Sequence, residues 1–324
     1  LSIAELRGPL LRDVSRSFFI SIRILPSRVR DPVALAYLLA RATDTIADTS
    51  EVPVAERLST LPQLSAAISG RESATAIEHL RSSFAPLQKN DAERSLIRAI
   101  PELLEWLGSL EEADRTDIRA VLATITSGQL LDLQRFGDAM RIVALTTAAE
   151  LNEYTYLVAG CVGEFWTRIC SRHVRNFSRR AFDEMVTLGI AYGKGLQLVN
   201  ILRDLGTDLR AGRCYLPADE LSVSAAELID VSEAVEPVLQ RWLANAEAGL
   251  QAGLDYSAAL ISPRIRIATA LPALIGLRTV DRLRSAGARV LREHIKVPRA
   301  EVRALILHAL VSRASPRFLN RYKK

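Results

Sequence analysis

Apolar residues return every three to four positions along almost the whole chain, the spacing of a single buried helical face. No alternating β-branched run long enough for a strand interrupts that period. The pattern predicts helices over 1–25, 31–49, 53–70, 74–84, 92–107, 114–136, 148–170, 178–208, 232–259, 263–285 and 298–314. Asp31-Pro32 reads as a start signal, a capping side chain followed by proline in the first turn. Pro217 reads as the close of a connecting turn. Neither a fixed-length repeat nor a low-complexity linker separates these pieces, so one all-α domain over residues 1–324 is expected.

Two segments break the apolar pattern in the same way. In YGKGLQLVNILRDLGTDLRAGRCYLP (192–217), Gln197, Asn200, Asp204 and Asp208 fall on one helical face. In AYLLARATDTIADT (36–49), Tyr37, Arg41, Asp44 and Asp48 do the same. Two carboxylates one turn apart repel, and a hard divalent cation with oxygen ligands offsets that repulsion. Arg41 and Arg203 add permanent cations suited to bidentate phosphate contacts. The plain alternative for the second stripe is a salt bridge from Asp208 to Arg210 or Arg213. Asn200, set in an apolar run, argues against it, because a buried amide needs a partner. The expectation is two stripes facing each other around several Mg²⁺ ions and at least one diphosphate. In a third segment, YTYLVAGCVGE (154–164), Gly160 and Gly163 match the small residues Ala191, Gly193 and Gly195. These imply either close helix packing or the thin wall of an apolar channel.

Composition narrows the setting. Hydrophobic residues make up 49% and charged residues 24% of 324, ordinary values for a soluble globular protein. Cys161, Cys170, Cys214 and four scattered histidines supply no zinc spacing and no disulfide framework, so a reducing, cytoplasmic location is expected. No signal-peptide pattern is present, and IATALPALIGL (267–277) is too short to span a bilayer. Charge is uneven: 262–324 holds 15 Lys/Arg against 3 Asp/Glu, a net +12, which leaves −7 for 1–261. A basic third of this kind suits anionic partners. Without a nucleic-acid-binding motif, nucleic acid is not expected; the two readings left are a solvated basic helical face and peripheral contact with an anionic membrane.

Four blocks carry a family pattern in order: SRSF (Ser15–Phe18), ARATDTIAD (Ala40–Asp48), YTYLVAGCVGE (Tyr154–Glu164) and LQLVNILRDLGTDLRAGRCYLP (Leu196–Pro217). They resemble the squalene/phytoene synthase family, the head-to-head prenyl synthases, and most nearly a bacterial squalene synthase. The resemblance implies an all-α isoprenoid synthase fold around a central cavity. It implies that Asp44, Asp48, Asn200, Asp204 and Asp208 bind Mg²⁺ and diphosphate. Ser15, Arg16, Ser17, Tyr37, Arg41, Gln197, Arg203 and Arg213 match substrate-holding positions. Tyr154 matches a tyrosine implicated in ionisation and the cyclopropyl step. The implied reaction joins two farnesyl diphosphates through presqualene diphosphate to squalene, with NADPH as reductant, in a monomer. ARATDTIADT is more like squalene synthases, whereas RCYLPADEL is more like bacterial phytoene-type enzymes. IATALP places Ala268 where eukaryotic squalene synthases carry an aromatic residue. Relatives without the reductive step would release dehydrosqualene, phytoene or presqualene diphosphate, and the residues themselves mark no nicotinamide site.

Overall fold

The computed structural model describes residues 1–15, 18–71, 74–137 and 141–323, and helices carry nearly all of its regular structure. By packing, the chain forms two compact units. The first comprises Leu1–Asp138 together with Arg168–Val174; the second comprises Ala139–Thr167 and Arg175–Lys324.

The first unit is built on the helix Ser27–Asp48. Leu35, Leu38, Leu39, Ala42 and Ile46 recur at helical spacing and are fully buried. They pack against the helices Val54–Ile68, Asp91–Arg98, Ile100–Ser109 and Glu112–Phe136. The helix opens at Ser27 behind Pro26, not at Asp31-Pro32. Asp31 instead forms an ion pair with Arg7 at 3.3 Å, and Pro32 sits inside the helix at the loss of one backbone bond. The single helix expected over 92–107 is two, Asp91–Arg98 and Ile100–Ser109. Pro101 explains the break at Ala99, because proline has no N–H to donate to the Ile97 carbonyl and its ring crowds that oxygen.

Residues from farther along the chain close this unit. Asp114, in the first turn of Glu112–Phe136, is only 3% exposed. Arg172 Nη1 donates to its Oδ1 at 2.6 Å, and His173 Nε2 lies 2.7 Å from its Oδ2. Arg172 also bonds Asp117.

The second unit is built on Phe182–Arg210, which packs on Glu236–Ala259 and Pro263–Ala286. It is the one described helix long and apolar enough to cross a membrane by length and composition. Its packing on two neighbours accounts for that apolarity. Within this unit a continuous helical path leads through Ala148–Thr155, a π-helical turn at Tyr156–Gly160, and Cys161–His173 as far as Thr167. Two short strands, Val143–Leu145 and Arg213–Pro217, pair in parallel. The sequence pattern missed them, since three to five residues are too few for a period of two to register.

The glycines settle between packing and channel. A Cβ on Gly163 would lie 1.9 Å from the Gly189 carbonyl oxygen, and one on Gly193 would lie 2.2 Å from that of Ala159. One on Gly195 would lie 2.8 Å from the Gly249 backbone. These glycines let helix backbones touch.

Candidate active site

In the first unit, the stripe occupies the side of Ser27–Asp48 turned away from the leucine face, as one hundred degrees per residue requires. Arg41 is shared between two acids: its Nη1 donates to Asp44, and its Nη2 donates to Glu93 Oε1 at 2.6 Å. Burial, and then the Asp48 carboxylate one turn on, push the Asp44 carboxyl up to about 6 against the pull of Arg41. This happens although 43% of the Asp44 side chain remains accessible; the surrounding protein mass and Asp48 outweigh the contact with water. Asp48 is exposed. Tyr37 donates its hydroxyl to the Val14 carbonyl at 3.4 Å, and its ring lies 6.1 Å from Phe18. Ser15 is buried, with its hydroxyl given to the Leu11 carbonyl. Tyr37, Arg41, Asp44 and Asp48 share one helix face, and its Tyr37 end meets the Val14 backbone. Arg16 and Ser17 lie outside the described residues.

In the second unit, Leu198, Ile201, Leu202, Leu205 and Leu209 bury one side of Phe182–Arg210. That leaves Gln197, Asn200, Asp204 and Asp208 on the other. Arg203 grips Asp204 as a fork, Nε to Oδ1 at 3.0 Å and Nη2 to Oδ2 at 2.6 Å. Arg213, at the head of its strand, donates to Asp208 at 2.9 Å, which is the salt bridge weighed above. Two residues along that strand, Tyr215 stacks on Tyr154 with ring centroids 5.0 Å apart. The stack and the strand therefore tie Tyr154 to the Asp208 end of the stripe. Asn200 is exposed, not buried, and its Nδ2 is 3.5 Å from Gln197 Oε1. His294 Nδ1 lies 3.9 Å from Asp204 Oδ1.

The arginines change the electrostatic argument. Asp44, Asp204 and Asp208 each have a guanidinium partner in the free chain, so repulsion within a stripe does not by itself demand a metal. At Asp44 the carboxyl stays raised despite Arg41, first because of burial and then because of Asp48. Among the described residues no group of three or more His, Cys, Asp or Glu side chains gathers as a metal cage. A pair of carboxylates suits Mg²⁺ nonetheless, because that ion keeps several waters and completes its shell with phosphate oxygens. The donors here are all oxygen and one turn apart, and the fit is good.

The family model for squalene/phytoene synthase matches residues 11–301. The chain belongs to the squalene/phytoene synthase family. Its likeness to squalene synthase from Schizosaccharomyces pombe is 25% identity over 308 residues, 93% of this chain and 64% of that protein. The chain thus spans about two thirds of the length of such curated relatives. Phytoene synthase from Thermus thermophilus is 36% identical over 182 residues, 54% of this chain and 59% of that protein. Among solved structures, TcSQS with a bound ligand superposes with a TM-score of 0.78 at 22% identity. The superposition covers 99% of this chain and 90% of that one, and identity at this level speaks for the all-α synthase fold alone.

Sequence reasoning missed Glu93 and His294 in this squalene/phytoene synthase chain. Glu93 lies 52 positions from the arginine it holds, and no local spacing links the two.

Proposed function

We propose that the chain is a squalene synthase of bacterial type, condensing two farnesyl diphosphates head to head through presqualene diphosphate to squalene. The observation that carries this reading is one arrangement built twice. In each unit one helix face bears two carboxylates one turn apart with arginines on them: Arg41 holds Asp44 in the first, and Arg203 and Arg213 hold Asp204 and Asp208 in the second. The match over 11–301 draws on both units, which supports treating residues 1–324 as one catalytic domain.

Asp44 and Asp48 in one stripe, and Asn200, Asp204 and Asp208 in the other, would hold Mg²⁺. When bound, the ion supplies charge stabilisation to the departing diphosphate. Arg41, Arg203 and Arg213 are at present tied to the same carboxylates. We assign them a second role in which they release the acids and turn to diphosphate oxygens, where their planar forks fit. Ser15, Arg16, Ser17, Tyr37 and Gln197 complete the substrate shell. Tyr154 presents an aromatic face and a hydroxyl to the allylic cation and is the proton acceptor. NADPH, when bound, supplies the hydride that ends the sequence at squalene.

The bacterial-type RCYLPADEL stretch and the likeness to a bacterial phytoene synthase favour one runner-up, the same condensation without reduction. Incubation with farnesyl diphosphate and Mg²⁺, with and without NADPH, followed by mass spectrometry, separates the two. Squalene that forms only with NADPH is the expected result. Dehydrosqualene or accumulated presqualene diphosphate selects the runner-up, and no coupled product under either condition refutes both. Asp204→Ala is expected to abolish turnover while helical content stays at the parent value.

A further inference from the structure

The helix Arg299–Val311 turns Leu305 and Ala309 inward. Its outer face carries Arg299, Arg303, Leu307 and Leu310 at helical spacing, with Val311 beside them. Leu307 is 59% exposed, Leu310 43% and Val311 77%. Single exposed apolar residues need no explanation, but three neighbours on one helix end do.

The charge on this helix and the chain that follows it is predominantly positive. The only acid in 294–324 is Glu301, against eight Lys/Arg. Glu301 points back into the unit, 2.7 Å from Arg282 and 3.4 Å from Arg278. Arg313, Arg317 and Arg321 follow the helix and are exposed. Beside Val311 opens a cleft lined by Arg278, His308, Arg321, Tyr322 and Lys323 and by one acid, Asp281, 3.9 Å from Arg278; the Arg278 guanidinium lies 5.8 Å over the Tyr322 ring. Cationic side chains thus border an exposed aliphatic patch, with no outward acid on the helix.

We propose that this face docks on an anionic lipid surface. Leucine and valine enter the boundary between headgroups and acyl chains, as an in-plane amphipathic helix requires. Arg299, Arg303 and the arginines beyond the helix meet lipid phosphates. The aliphatic residues favour lipid over nucleic acid, whose backbone would reward the arginines and leave Leu307 and Val311 idle. The basic excess of the last third is thereby assigned to one helix face and the turn that follows it.

The test uses residues 1–324 and sedimentation with two vesicle types, phosphatidylcholine alone and phosphatidylcholine mixed with phosphatidylglycerol. Retention is expected on the mixed vesicles only, and it weakens as salt rises. Replacing Arg299 and Arg303 with glutamine weakens retention by about fivefold for each arginine. Leu307→Ser with Val311→Ser weakens it by roughly tenfold. Both double variants keep the parent melting temperature, since these side chains are exposed. Leu307→Trp gives an independent readout, an emission shifted to the blue by mixed vesicles alone. Equal retention on both vesicle types overturns the proposal. So does an unmoved Leu307→Trp emission, or full retention after the Leu307 and Val311 changes. A dimer that those changes dissolve, with vesicle binding intact, assigns the face to a second copy and also overturns it.

Discussion

The Asp44 carboxyl is pushed up to about 6 from an ordinary 3.8 by burial and by Asp48, with Arg41 pulling the other way. A folded-state value above the unfolded one means that the native protein binds this proton more tightly. The associated stability is present below about pH 4 and is lost as pH rises through about 6. A divalent cation competes for the same oxygens, so its benefit runs in the opposite direction. The rise in melting temperature on adding Mg²⁺ is therefore expected to be small below pH 6 and to grow above it. In Asp48→Asn the free protein should lose less stability across that window, and the Mg²⁺ response should shrink at every pH. Thermal melts with and without Mg²⁺ check both outcomes. The four aspartates were legible from period alone, and their arginines from adjacency. Asn200 was misjudged, because an apolar run locates a residue along a helix and not around it. Glu93 and His294 reach the site only through tertiary folding, which leaves no local trace.

At the scale of elements, the long helices were legible in place and type, with ends displaced by up to four residues, as at Ser27–Asp48, Phe182–Arg210 and Glu236–Ala259. Ala74–Phe84 has the expected bounds, and Pro263–Ala286 ends one residue later. Errors collect where proline offers two grammatical readings. Pro26 starts a helix that was assigned to Pro32, and Pro101 divides one read as continuous. The π-helical turn at Tyr156–Gly160, just beyond Tyr154, has no signature in composition, although such turns favour functional positions. The glycines left packing and channel open until the backbones could be compared. Gly163→Ala would drive a methyl into the Gly189 carbonyl and should cost about 3 kcal/mol. Gly108→Ala meets nothing within 4 Å and should stabilise by up to about 1 kcal/mol through helix propensity. Paired denaturant titrations of the two variants test whether contact or propensity governs this fold's glycines.

For the whole molecule, family and fold class were legible from four motifs, whereas the division into two units was not. That division depends on residues 168–174 joining the unit made of 1–138. Chain order conceals this, because 139–167 between them belongs elsewhere. The link is held by a carboxylate, Asp114, which is 3% exposed and held by Arg172 and His173. Removing one partner of a buried ion pair strands the other, at a cost of about 3–5 kcal/mol. The fragment 1–138 is accordingly expected to melt well below the intact chain, or not to fold, and 1–174 to recover part of the loss; circular dichroism of both fragments decides.

That clasp also governs how this protein can be recombined with its relatives. A chimera joined near residue 138 inherits one parent's Asp114 and the other parent's Arg172 and His173, so its first unit must fit a foreign closing segment. Crossovers placed after Val174 carry acid and bases together from a single parent. Domain-swapping libraries should therefore be cut by three-dimensional partnership, and breakpoints between 138 and 174 should be depleted among the folded survivors.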